Sequence, residues 1–183
     1  MLSTKKNKKI DCFYEIPGKN YVEHRLNEII HSSDFKAKEY YGFDVKRFPV
    51  DILLDDWLYN TIYQEHKFKC GITLTPPNTC YDWHTDERRG VCINMLLTED
   101  AHSHCIFSPD RKKPSWFRSR EEVQSIIELK YKPGRRYVLN TQVQHLVFNF
   151  DKPRWTLSIE FDEDKKNLSY YDIVKLIRRL NEQ

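Results

Sequence analysis

Two histidines, one aspartate and one arginine carry most of the chemistry open to this sequence. His84 and Asp86 stand two residues apart in Tyr81-Asp82-Trp83-His84-Thr85-Asp86, which follows a Thr75-Pro76-Pro77-Asn78 turn. In extended backbone, residues two apart project to the same side, so an imidazole nitrogen and a carboxylate oxygen can face one ion. His145 opens an apolar β-prone run, 146–150, and can supply a third ligand from another strand. Two histidines and a carboxylate on one face of an octahedral ion leave three positions open, which suits ferrous iron that must take up both a cosubstrate and oxygen. A His-x-Asp pair alone is as readily a polar loop pair, so the weight falls on the order His-x-Asp, strands, His, short hairpin, Arg. Arg154 comes nine positions after His145, across the Asp151-Lys152-Pro153 turn. A dicarboxylic acid that chelates a metal at one end needs a bidentate cation for the other, and a guanidinium is that cation. Thr156 and Ser158 share the face of Arg154 by strand parity and can add a hydroxyl to the same carboxylate.

Other residues offer weaker chemistry. His102 and His104 could place two imidazoles on one strand face, but no nearby carboxylate or downstream arginine completes a mechanism. Arg88 and Arg89 could meet an acidic substrate at a pocket mouth, although a solvated loop is the simpler reading of each. Trp83, Trp155 and Tyr137 read as core packing before they read as a substrate wall.

The elements that must position these residues are mostly strands. Short β-prone segments broken by Pro, Gly, Asn and Asp run over 68–75, 91–97, 104–108, 136–140, 146–150 and 155–161, a spacing that predicts an antiparallel sandwich or barrel. Helical spacing of apolar residues predicts helices over 21–31 and 50–63 ahead of them, with Pro49 and Asp51 marking a start. A short helix over 120–129 and a charged insert around 111–113 interrupt the strands. An amphipathic helix over 170–180 follows, with Ile173, Val174, Leu176, Ile177 and Leu180 as its buried stripe. The expected organisation is one domain, 1–183, made of an N-terminal arm and helices (1–66), a strand-rich core (67–161) and a C-terminal helix (162–183).

Composition narrows the class. The chain has 183 residues, 39% of them hydrophobic and 14% aromatic, enough for one sizeable core and too little for two ordinary domains. Thirty basic side chains stand against 27 acidic ones, and much of the excess is the leading cluster Lys5, Lys6, Lys8 and Lys9, read as a solvated terminus. Nucleic acid is therefore not the expected partner. No apolar run reaches the length of a bilayer span, and no hydrophobic segment follows the lysines as in a secretory signal. Five cysteines (Cys12, Cys70, Cys80, Cys92, Cys105) without a Cys-x-x-Cys pair argue against a disulfide framework or cysteine-based zinc cage. The expectation is a soluble cytoplasmic protein, in a reducing compartment where ferrous iron also survives.

The stretches TPPNTCYDWHTD, RGVCINMLL and RRYVLNTQVQHLVFNFDKPRWTLSIEF, within 69–161, resemble the 2-oxoglutarate- and iron(II)-dependent oxygenase superfamily. Within it they resemble the aspartyl/asparaginyl β-hydroxylase-like and related small members. The resemblance implies a mainly β fold, a double-stranded β-helix (jelly roll, cupin-like) flanked by N- and C-terminal helices, with the metal inside its open end. It matches His84, Asp86 and His145 to the iron ligands and Arg154 to the residue that binds the distal carboxylate of 2-oxoglutarate. Asn94, in the strand after the His-x-Asp motif, looks like a polar residue near the cosubstrate and equally like a strand-face amide. The implied cofactors are Fe(II), 2-oxoglutarate as cosubstrate and O2, and the implied substrate is a small molecule or peptide side chain. Some β-hydroxylases of this type lack the carboxylate ligand and halogenating relatives replace it; Asp86 is present here, so hydroxylation or a related oxidation is implied over halogenation. The alternative from another class is a cupin-like protein that holds a metal or dicarboxylate without turnover. Substrate and oligomeric state are not legible.

Overall fold

The computed structural model describes residues 10–32, 38–40, 43–99, 102–109 and 125–182. Strand β1 (Phe13–Glu15) leads into helix α1 (Glu23–His31), strands β2 (Lys38–Tyr40) and β3 (Phe43–Phe48), and helices α2 (Asp51–Leu54) and α3 (Trp57–Glu65). Strands β4 (Phe68–Thr75), β5 (Thr79–His84), β6 (Val91–Leu96), β7 (Ser103–Ser108), β8 (Ile127–Leu129), β9 (Arg136–Asn140), β10 (Gln144–Asn149) and β11 (Arg154–Phe161) follow, and then helix α4 (Tyr170–Asn181).

The strands form a seven-stranded sheet, β1-β9-β6-β11-β4-β3-β2, and a four-stranded sheet, β5-β10-β7-β8, with every pairing between these strands antiparallel. This is the mainly β, jelly-roll arrangement that the motifs imply. Side-chain alternation explains how the larger sheet serves two purposes. Along β11, Leu157, Ile159 and Phe161 join Phe68, Cys70 and Ile72 of β4 and Ile93 of β6 in the main core, where α3 adds Leu58, Tyr59 and Ile62 and α4 adds Ile173 and Ile177. Arg154, Thr156, Ser158 and Glu160 alternate with them and line a cavity on the opposite face. A second cluster, including Phe107, Leu129, Leu139 and Val143, joins residues of both sheets beside that cavity.

Several expected elements differ in extent. The helix expected over 50–63 is two, because Asp56 adopts extended backbone (φ −82°, ψ 119°) and its side chain accepts from Leu58 N as the cap of α3. The helix expected over 120–129 is corrected at its end: 127–129 is strand β8, paired with β7 through Cys105 and Leu129. Its earlier part, the 111–113 insert and the lysine cluster lie outside the described residues. Strand β5 was not expected as a strand, and His145 sits inside β10 rather than ahead of it.

Asp56 also anchors the helices to the sheet. Both of its oxygens accept from Arg136 Nη1, at 3.2 and 3.1 Å, while Arg136 Nη2 donates to Lys19 O at 2.8 Å. Both side chains are buried. Removing one member leaves a buried charge unpaired, a change that costs about 3–5 kcal/mol. Asp56→Ala is therefore expected to lower unfolding stability by that amount, read as a shift of the urea midpoint; a surface-like loss below about 1 kcal/mol would contradict the role.

Candidate metal centre

His84 is the last residue of β5, and His145 lies directly opposite it on β10. The register shifts between His145 and Val147, so β5 carries one extra residue before Tyr81 meets Val147. Such an irregularity re-aims side chains at the end of a strand. The two imidazole centroids are 4.2 Å apart. Asp86, two residues past the strand, donates its backbone N–H to Thr141 O at 2.9 Å, which folds its carboxylate back toward the histidines. His84 Nε2 and Asp86 Oδ1 are 3.8 Å apart, and ligand atoms of His84, Asp86 and His145 all lie within 4.8 Å of one another.

The surrounding hydrogen bonds prepare both rings to donate lone pairs. His84 Nδ1 lies 2.6 Å from Asp82 O and His145 Nδ1 lies 2.9 Å from Val143 O. A carbonyl only accepts, so each Nδ1 carries the proton and each Nε2 is left as the donor atom for a metal. Tyr81 meets the His84 ring edge-on at 4.3 Å, and Phe107 stacks on His145 at 5.6 Å. Burial, reinforced by the neighbouring His84, pushes the His145 pKa from 6.5 down to about 4. A neutral imidazole is the form that binds metal.

That shift has a stability consequence in the metal-free protein. Between pH 6.5 and about 4 the unfolded chain binds a proton at His145 that the folded chain refuses. The contribution is fully present above the unfolded pKa and is lost as pH falls through this window. Urea unfolding of metal-free protein at pH 7, 6, 5 and 4 should show that loss, and the same series on His145→Gln should show a shallower one. Identical slopes would remove the assignment.

The same cavity, about 380 Å³ in volume, is lined by His84, Asp86 and His145 and by Arg154, Thr156, Ser158 and Asn94. The structure thus brings the candidate metal ligands and the candidate cosubstrate-binding residues to one space. Four buried polar atoms there have no hydrogen-bond partner: Arg154 Nε, Thr156 Oγ1, Asn94 Oδ1 and the Tyr131 hydroxyl. A buried polar atom without a partner costs about 1–3 kcal/mol, and four in one cavity mark a place for a polar ligand. The donor set fits a carboxylate: a guanidinium and two hydroxyls line one cavity, with Arg154 Cζ 5.2 Å from the Tyr131 ring centroid. Ser158 lies on the same strand face, farther along β11 and partly exposed.

Tyr131 is the residue that sequence reasoning missed. Ile127, Leu129 and Tyr131 alternate and all pack against the second core cluster, a period of two that the helical reading of this segment concealed. Arg89 also departs from expectation: it is partly buried and its Nε pairs with Asp86 Oδ2, whereas Arg88 is exposed at the cavity edge. Trp155 and Tyr137 pack in the cores, and Trp83 is partly buried without lining the cavity. His102 and His104 bond separately to Asp151 and Glu128, at 2.9 and 2.6 Å. Among the described residues, His84, Asp86 and His145 are the cluster with metal-binding proximity.

No protein-family model matches the sequence and no curated protein matches it. Solved structures do. A prolyl-4-hydroxylase from Pseudomonas putida superposes with a TM-score of 0.58 at 17% identity, covering 83% of this chain and 92% of that one. A 2OG-Fe(II) oxygenase family oxidoreductase from Burkholderia pseudomallei gives 0.59 at 13% identity, with 86% of each chain covered. The chain shares the fold of 2-oxoglutarate- and iron(II)-dependent oxygenases. The non-heme α-ketoglutarate-dependent epimerase SnoN of nogalamycin biosynthesis gives 0.60 at 13% identity, over 84% of this chain and 79% of that one. The likeness extends over most of the chain, while the roles of individual side chains rest on the site itself.

Proposed function

We propose that this chain is an Fe(II)- and 2-oxoglutarate-dependent dioxygenase of hydroxylase type, acting on a small molecule or a peptide side chain. The observation that carries the reading is the coincidence, in one cavity, of the His84, Asp86 and His145 cluster with the unpartnered Arg154, Thr156, Asn94 and Tyr131 atoms. His84 and His145 would hold iron through Nε2, and Asp86 through Oδ1. Arg154 would pair with the distal carboxylate of 2-oxoglutarate, with Thr156 and Tyr131 donating hydroxyl hydrogen bonds to it and Asn94 and Ser158 completing the polar wall. When bound, iron and cosubstrate supply the oxygen activation, with 2-oxoglutarate leaving as succinate and CO2.

The chain's own work is orientation. Asp82 O and Val143 O fix the histidine tautomers, Phe107 and Tyr81 fix the ring planes, and the Asp86 turn is tied to the Thr141-Gln142 turn next to His145. The carboxylate at Asp86 supports hydroxylation or a related oxidation over halogenation as the outcome. We place the protein in the cytoplasm as one domain: five free cysteines suit a reducing compartment, and no described helix is long and apolar enough to cross a membrane. Incubation with ferrous iron, 2-oxoglutarate and air should release succinate above the level of a His84→Ala control. Succinate no higher than that control would overturn the enzymatic reading in favour of a cupin-like binder.

A further inference from the structure

We propose that Arg89 is a positioning residue that reserves one oxygen of Asp86, so that this carboxylate offers a metal a single oxygen and cannot close around it as a chelate. The inference rests on the proposed metal centre and concerns how many of its positions stay open.

The two Asp86 oxygens have divided surroundings. Oδ1 is the oxygen that faces His84 Nε2, at 3.8 Å, whereas Oδ2 accepts from Arg89 Nε. A free carboxylate can bind an ion through one oxygen or both. If both oxygens engaged the metal, a cosubstrate that needs two positions and oxygen that needs a third would be one short. A charge-assisted hydrogen bond to Oδ2 opposes that swing.

The loop that carries Arg89 is held beside this oxygen. The Arg89 carbonyl accepts from Thr141 Oγ1 at 2.7 Å and from Gln142 Nε2 at 2.9 Å, and the same Gln142 nitrogen donates to Asp86 O at 2.9 Å. On one side, Arg88 O accepts from Lys165 N at 2.8 Å. On the other, Gly90 packs so tightly that a Cβ there would lie 2.6 Å from Leu168 O. The backbone from 86 to 90 is thus clamped between two turns, and the guanidinium reaches back three residues to its own loop's carboxylate. An arginine suits the task because it is always protonated and presents Nε–H along a fixed direction, which lysine does not.

Metal affinity is a poor test, since removing a nearby cation and loosening the carboxylate push it in opposite directions. The number of water molecules on the bound ion is a direct one. Mn(II) serves as the probe, and water-proton relaxation per bound Mn(II) is measured without cosubstrate for the full chain and for Arg89→Ala, Arg89→Gln and Arg89→Lys. Loss of the reserved oxygen should take the coordinated waters from three to two, lowering the enhancement by about a third in Arg89→Ala and Arg89→Gln. Arg89→Lys should fall between, because charge remains but direction is lost. Should the alanine variant not fold, the glutamine variant decides. Wild-type relaxation per bound Mn(II) in folded Arg89→Gln would overturn the proposal, since a purely structural role would alter stability without altering the water count. Adding 2-oxoglutarate to Mn(II)-loaded wild type should displace two waters. If it displaces none while the variants still lose one, the cosubstrate reading fails and the role of Arg89 stands.

Discussion

His84→Ala is expected to abolish stoichiometric iron binding at micromolar protein concentration. The expectation follows from the donor count: His84 Nε2, Asp86 Oδ1 and one His145 nitrogen converge within 4.8 Å among the described residues, and two donors hold a labile ferrous ion poorly. Loss of an outer hydrogen bond to a ligand typically weakens metal binding about 10- to 100-fold, so loss of the ligand itself should exceed roughly 100-fold. The fold should survive, because His84 ends β5 at the cavity rim and is absent from both apolar clusters. Anaerobic titration with ferrous iron, alongside a thermal melt, reads both effects. Retained tight binding in a folded His84→Ala protein would remove the metal centre from this account.

The second large effect is expected at Arg154, and there metal and cosubstrate should part company. Arg154 is 5% exposed, its Nε has no partner, and it begins the strand whose alternate residues line the cavity. A dicarboxylate chelating iron through one end would leave its second carboxylate in this buried part of the cavity. Truncating one partner of a buried charge pair costs on the order of 2–5 kcal/mol, so Arg154→Ala should weaken 2-oxoglutarate binding roughly 30- to several thousand-fold. Arg154→Lys keeps the charge without the two-pronged geometry and should lose less. Iron affinity should stay unchanged in both, since Arg154 is not among the clustered ligands. Isothermal titration of each variant with iron and then, anaerobically, with 2-oxoglutarate separates the two. Wild-type cosubstrate affinity in Arg154→Ala would take away the assigned role.

How legible this site was depended on whether the signal was local. The β11 stretch RWTLSIEF states its two faces in its own alternation, so Arg154, Thr156 and Ser158 could be placed on one side without a structure. The spacing of His84 and Asp86 was equally local. What could not be read was register. His145 meets His84 only through the pairing of β10 with β5 and its irregularity, and strand pairing depends on contacts distant in sequence. β5 itself was overlooked as a strand because Thr79–His84 contains no aliphatic residue and none of its side chains is fully buried. Tyr131 was hidden for the opposite reason. The run before it has apolar residues at helical as well as strand spacing, and the pairing of β8 with β7 decides between them. Arg89 looked like one of two loop arginines because its pairing with Asp86 depends on a clamp made by residues more than fifty positions away.

The most direct test of the central claim is an anaerobic absorption titration of 2-oxoglutarate into the iron-loaded protein. Chelation of ferrous iron by the 2-oxo acid should produce a visible metal-to-ligand charge-transfer band that saturates at one equivalent. The band should be missing in His84→Ala and should need much higher 2-oxoglutarate in Arg154→Ala. Wild-type protein that binds ferrous iron and shows no such band at any 2-oxoglutarate concentration would contradict the account.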